Sequence, residues 1–245
     1  MTPTGFIDGG GADDGGIRGV AVGIVTDNED PKDLGRVKLR FPWRDADDES
    51  HWARIATEMA GDGYGTYFLP EIDDEVLVAF ENGNVHKPFV IGSLWNGTQK
   101  PPQTNGEGTN DARELRSRSD HVIAFDDADD GSITLRTTGG NEIVIDDSGR
   151  SETIQVRDGS NDNSITLDSD SGAVEIDAKS EISLSASTIS LDGNSVELSG
   201  TKGITIKGNG PIDVESKAKL SVSGSMISID GTGIVKIKGN LIALN

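Results

Sequence analysis

The chain of 245 residues has no cysteine, so neither a disulfide framework nor a thiolate metal site can form. Histidine is almost as scarce. His51, His86 and His121 fall in three different regions, none at ligand spacing from another, and no metal centre is expected from one chain. No apolar run approaches the roughly 20 residues that a membrane helix needs. The opening MTPTGFIDGGGADDGG lacks the basic and apolar regions of a secretory leader, and the expectation is a soluble protein not exported by that route. Lys and Arg number 22 against 42 Asp and Glu, a formal net charge of −20. That balance argues against a surface built to neutralise nucleic-acid phosphates and fits a solvated, aggregation-resistant one.

Catalytic signatures are missing too. There is no Gly-x-Ser-x-Gly elbow and no phosphate-binding loop. The acidic run DDADDG (126–131) lacks the alternating ligands and distant Glu of a calcium-binding EF-hand and reads as a solvated turn. Other carboxylates sit mainly in turns and outward strand positions, where desolvation to raise a pKa is not expected. Neither catalytic residues nor cofactors are assigned, and the chain is not read as an enzyme. Asn96 opens a formal glycosylation triplet, of a kind that arises often by chance.

What is present divides unevenly. The first hundred residues hold Trp43, Trp52, Trp95, Tyr64, Tyr67 and five of the six Phe, whereas Phe125 is the one aromatic beyond them. Residues 1–17 are Gly- and Asp-rich and read as a flexible arm. Short apolar or alternating runs follow: VAVGIV (20–25), RVKLRF (36–41), HWARIA (51–56), EVLVAF (75–80) and PFVIGSL (88–94). Turn-forming stretches such as DPKDLG, AGDGYG and ENGNVHKP bound them. Five strands in about eighty residues, with aromatics to fill a small interior, predict a closed barrel of the OB type over 18–96. Pro101-Pro102 among Gly, Asn and Thr marks a linker, and ARELRSRS (112–119) reads as a short helical turn or a basic collar, so 97–120 is assigned as linker and collar.

From there to the end one phrase recurs. Apolar pairs at i and i+2 begin at Ile133, Ile143, Ile154, Ile165, Val174, Ile182, Ile189, Val196, Ile204, Ile212, Leu220, Ile227, Val235 and Ile242, with intervals settling near eight residues after Val174. Such a pair faces one side of a strand, and residues such as Gly193, Gly200, Gly208, Gly224 and Gly231 punctuate the turns. This is a solenoid signature. One strand burying two side chains is not stable alone, so either one chain coils on itself or three chains intertwine. Periodicity does not choose between them.

Laid side by side, the two halves resemble the central spike proteins of contractile injection machines: the phage baseplate assembly protein V family and the spike part of the valine-glycine repeat (VgrG) proteins of type VI secretion. GIVTDNEDPKDLGRVKLRFPW (23–43), SHWARIATEMAGDGYGTYFLPEIDDEVLVAFENGN (50–84) and KPFVIGSLWNGTQKPP (87–102) carry the likeness to the family's OB domain. More loosely, SRSDHVIAFDDADDGSITLRTTGGNEIVIDDSG (117–149) is similar to its entry into the β-helix. The chain departs at Asp73, where the family usually has Gly, and the turn there is expected to differ in shape.

The resemblance implies an all-β chain, an N-terminal OB-fold barrel followed by a C-terminal intertwined trimeric, triple-stranded β-helix over 121–245. It implies a structural, envelope-piercing spike at the baseplate of a contractile phage tail or phage-like injection system, capping the tail tube. The alternative is a receptor-binding fibre or adhesin with a β-solenoid stalk. The trimer core would comprise Ile165, Leu167, Val174, Ile176, Ile182, Leu184, Ile189, Leu191, Val196, Leu198, Ile204, Ile206, Ile212, Val214, Leu220, Val222, Ile227, Ile229, Val235 and Ile237. Fourteen layers at one strand spacing each give a needle of about 65 Å.

Expected partners are two further copies, a separate tail hub above the OB domains and the target envelope. No hub domain or lysozyme-like insertion is evident. The end lacks the closely spaced His that bind iron in some phage spikes, so Asn240, Leu241, Ile242, Ala243, Leu244 and Asn245 are expected to dock a PAAR-repeat tip protein. The expected location is the virion baseplate or injection-particle tip, after assembly in the producing cell's cytoplasm.

Overall fold

In the computed structural model, residues 16–45, 48–149 and 152–243 are described. They contain fourteen strands, one short 3₁₀ turn at Glu81–Gly83 and no α-helix. They fall into two units, one ending at Ile182 and one beginning at Ser183. Most of the expected arm, and Leu244 and Asn245 at the other end, lie outside the described residues.

The first sheet contains β1 (Val20–Asp27), β2 (Lys38–Arg40), β3 (Arg54–Ile55), β6 (Glu75–Phe80) and β7 (Pro88–Leu94), in the order β2-β1-β6-β7-β3. Between β3 and β6 a small hairpin pairs β4 (Ala60–Gly61) with β5 (Tyr64–Gly65). Bridges from Val37 to Ala53 and from Arg40 to Glu49 join the two ends of the sheet and close the barrel. β6 shows why these segments are strands: Val76, Val78 and Phe80 point inward while Glu75, Leu77 and Ala79 point out, the period-two pattern of a half-buried strand. With Val25, Val37, Leu39, Phe41, Ala53 and Val90 they form one buried cluster. Ile17 packs against it and donates its N–H to the Gly83 carbonyl at 2.9 Å, so the end of the expected arm belongs to the barrel.

One feature of the barrel corrects the sequence reading. Aromatics do not fill its interior: of the residues counted for that task, Phe41 and Phe80 are buried, whereas Trp43, Trp95, Tyr64, Tyr67 and Phe68 are exposed. A five-stranded barrel this narrow is filled by Val, Leu and two Phe. In the turn before β6, Asp73 adopts φ 71°, the left-handed conformation that Gly takes without strain and Asp tolerates.

After the barrel, β8 (Ala112–Arg116), β9 (Val122–Asp126), β10 (Ser132–Arg136), β11 (Glu142–Asp146), β12 (Thr153–Arg157), β13 (Ser164–Asp168) and β14 (Ala173–Asp177) make a seven-stranded antiparallel meander in chain order. ARELR is therefore a strand and not a helical turn. Its partner is β9, where Leu115 faces Ile123. The basic residues find carboxylates: Arg116 lies 2.9 Å from Glu114, and Arg118 reaches Glu71 of the barrel at 2.9 Å. Residues 183–243 contain no paired strand.

Candidate functional site

The meander places its apolar residues in two ladders on one face. Leu115, Ile123, Leu135, Ile143, Val156, Ile165 and Ile176 stand opposite one another rung by rung, and beside them run Phe125, Ile133, Ile145, Ile154, Leu167 and Val174. Cross-strand pairs like these stabilise a sheet by direct contact. Yet among the described residues nothing covers them, and from Ile123 to Leu167 each remains 37% to 43% exposed. A continuous apolar surface this long marks an interaction face. Sequence reading began the pairs at Ile133. It passed over the Ile123 and Phe125 pair on β9, and it missed Leu115 on β8 because the Arg and Glu of ARELR masked the strand pattern.

In the second unit the pairs are barer still, from 50% exposed at Ile242 to 70% at Val222. All twenty residues assigned to the shaft core, Ile165 to Ile237, are exposed in the single chain. The fold brings Ile165 opposite Ile176 and Leu167 opposite Val174, and it pairs none of the later ones through strand hydrogen bonds among the described residues. Glycine shapes the turns between them. A Cβ on Gly208 would lie 3.2 Å from Ile212 Cγ1, and one on Gly231 would lie 3.1 Å from a Val235 methyl, so the side chain that opens each of these pairs folds back against a bare backbone. At the far end Leu241 is largely exposed beside Ile242.

The acidic residues have local structural partners. At strand ends Asp126, Asp146, Asp158 and Asp168 each accept backbone N–H groups from the turn that follows: Ala128 at 3.0 Å, Ser148 at 2.8 Å, Asn161 at 2.6 Å and Ser171 at 3.0 Å respectively. These bonds hold the carboxyls of Asp158 and Asp168 below their usual range. At Asp146 the Ser148 hydroxyl does so first, with its backbone N–H second. Such Asx turns favour the ionised form of Asp146, Asp158 and Asp168, the reverse of what a general acid requires.

In the barrel, Asp30 accepts Arg36 Nε at 2.7 Å and a second guanidinium nitrogen at 2.6 Å, together with the N–H groups of Lys32 and Leu34. The guanidinium is the main reason its pKa is driven far below the usual carboxylate range. Its side chain is 3% exposed, and the pair closes the loop between β1 and β2.

Barrel closure also brings together two residues that sequence spacing kept apart. The rings of His51 and His86 meet edge to face with centroids 5.2 Å apart. Among the described residues no group of three or more His, Asp or Glu is positioned to hold a metal ion, and no helix is long and apolar enough to cross a membrane.

Comparison with known proteins finds similarity in the barrel. Residues 21–95 match the type VI secretion system/phage-baseplate injector OB domain. Over the same domain the chain is 37% identical across 73 residues to the type VI secretion system spike protein VgrG3 of Vibrio cholerae, covering 28% of this chain and 7% of that protein. It is 38% identical across 74 residues to the actin cross-linking toxin VgrG1 of Vibrio cholerae, covering 29% and 7%. It is 36% identical across 72 residues to the spike protein VgrG2a of Pseudomonas aeruginosa, covering 28% and 9%. The chain thus aligns with less than a tenth of the length of each of these relatives. Its N-terminal barrel is an injector OB domain, and the all-β segment that follows is β-helix-like.

Proposed function

We propose that three copies of this chain intertwine into a rigid spike that sits beneath the tail tube of a contractile injection machine and pierces the target envelope. The observation that carries this reading is the pair of open apolar ladders from Leu115 to Val174, followed by repeats that find no strand partner among the described residues. Full burial of an Ile, Val or Leu side chain contributes about 1.5–3 kcal/mol. A chain that leaves so many uncovered is stabilised strongly by whatever covers them. Self-coiling would require the repeats to hydrogen-bond to one another, and among residues 178–243 they do not. Three chains each supplying one strand per layer satisfy both needs, closing the core and pairing the backbone.

In this assembly the barrels form a collar that docks to a hub, and the shaft transmits axial force. The end from Asn240 onward accepts a PAAR-repeat tip protein. The role is mechanical and not enzymatic, in keeping with relatives named as spike proteins. Assembly takes place in the cytoplasm of the producing cell, before the spike joins a baseplate.

The test is mass. Light scattering on purified protein is expected to give about three times 25.8 kDa, with the shaft resistant to protease. Ile204→Asp is expected to abolish assembly, because three carboxylates would meet near the axis and each costs several kcal/mol to desolvate. A monomer in the parent protein, or an intact trimer in the variant, would count decisively against the model.

A further inference from the structure

The barrel carries two apolar patches at the margin of its core, each with large side chains left exposed. The first surrounds a cleft of 740 Å³ between the β4–β5 hairpin and β7, lined by Leu34, Met59, Tyr64, Tyr67 and Phe68 among others. Tyr67 is 75% exposed and Phe68 70%. The patch is built rather than loose. The Tyr64 ring lies over Gly61 so closely that any Cβ there would meet it at 2.2 Å, and the Thr66 N–H and Thr57 hydroxyl tie the two sides of the loop with bonds of 3.0 and 2.9 Å. Three aromatics exposed to this degree offer on the order of 300–450 Å² to a partner, enough to mark an interaction site.

The second patch lies over the outer face of β1, two strands away round the sheet. It is a groove of 610 Å³ formed by Ile17, Val20, Ala21, Val22, Pro42 and Trp43. Trp43 stands half out of the surface with its ring 5.3 Å from that of Phe41, which holds the indole in place.

Charge distinguishes the two patches. Asp33 and Glu58 line the cleft and Asp62 tips its hairpin, none with a cationic partner among the described residues. The groove is flanked by Arg18, two residues before Val20, and by Arg40, which faces Ile24 on β1 and Glu49 across the closing bridge; neither Arg forms an ion pair among the described residues. An acidic-rimmed aromatic cleft and a basic-rimmed groove with a projecting indole are complementary to each other, not to themselves. That is the requirement for a head-to-tail contact, which closes into a ring when the rotation suits.

We infer that neighbouring barrels dock laterally, the hairpin cleft of one copy receiving Trp43 and the outer face of β1 of the next. This rests on the threefold assembly proposed above and adds the contact that would lock the collar. It also accounts for barrel aromatics that lie at the surface and not in the core.

The absence of cysteine makes the test clean. In the full chain, Asp62→Cys and Arg18→Cys are introduced together and treated with a short bismaleimide, alongside light scattering of the untreated protein. The expected result is covalent dimers and trimers on a denaturing gel from the double variant and none from either single variant, with the yield falling at least tenfold when Tyr67→Ala is added. Trimer mass without cross-linking overturns lateral docking and leaves the spike reading standing. Cross-linking by one single variant shows a symmetric contact and also overturns it, as does an undiminished yield with Tyr67→Ala. Monomer mass removes the spike reading and the collar contact together.

Discussion

Asp30 and Arg36 show how one loop is held without apolar burial. The carboxylate's folded pKa lies well below its unfolded value of about 3.9, so its contribution is complete above about pH 4 and is lost as pH falls toward the folded value. Asp30→Asn is expected to lower the melting temperature at pH 7, where Arg36 loses its partner, and to flatten the acid limb of the stability profile; thermal melts from pH 2 to 7 check both. Ser50 acts at a different kind of defect. Its buried hydroxyl accepts the Leu39 N–H at 3.0 Å and donates to the His51 carbonyl at 2.7 Å, filling an irregular stretch between the Val37–Ala53 and Arg40–Glu49 bridges. Ser50→Ala leaves that N–H buried and unpaired, for a loss of about 1–3 kcal/mol in denaturant unfolding. Asp73→Gly should do the opposite. Relief of a left-handed φ in a non-glycine residue stabilises the fold by about 0.5–1 kcal/mol. The likeness at 50–84 singled out Asp73 as unusual, and the backbone angle shows that it takes the left-handed conformation that Gly favours.

Among the elements, strands were the legible part. EVLVAF and PFVIGSL coincide with β6 and β7, because each is a short apolar run rich in strand formers and bounded by turn residues. HWARIA shrank to the two residues of β3, since the irregularity around Ser50 interrupts pairing just before it. ARELR escaped notice as a strand because two Arg and a Glu surround Leu115, and its strand character comes from β9 alongside. In the shaft the repeat was plain, and the structure adds how its turns work. Gly200 sits where a Cβ would come within 2.7 Å of the Gly203 carbonyl and 3.2 Å of Ile204 Cγ1. Gly200→Ala is expected to overpack that turn and cost about 1–3 kcal/mol per chain, read as a lower melting temperature of the assembled protein with its mass unchanged.

For the whole molecule, the acidity and the exposed ladders belong to one account. A shaft rich in Ile and Val would aggregate through its open faces unless these were covered by its own copies and the outside carried like charge. Incubation of the purified protein with peptidoglycan or host polysaccharide is expected to release no product, and measurable turnover would replace the mechanical role with an enzymatic one.

The sequence by itself determined the all-β class, the barrel and the eight-residue beat of the shaft, because periodicity and turn residues are local properties of the chain. Only the tertiary structure decided that the barrel's aromatics face outward, that His51 meets His86, and that Leu115 begins the apolar face. Each of those depends on which strands lie side by side, and pairing between residues tens of positions apart leaves no mark in the local pattern of either strand.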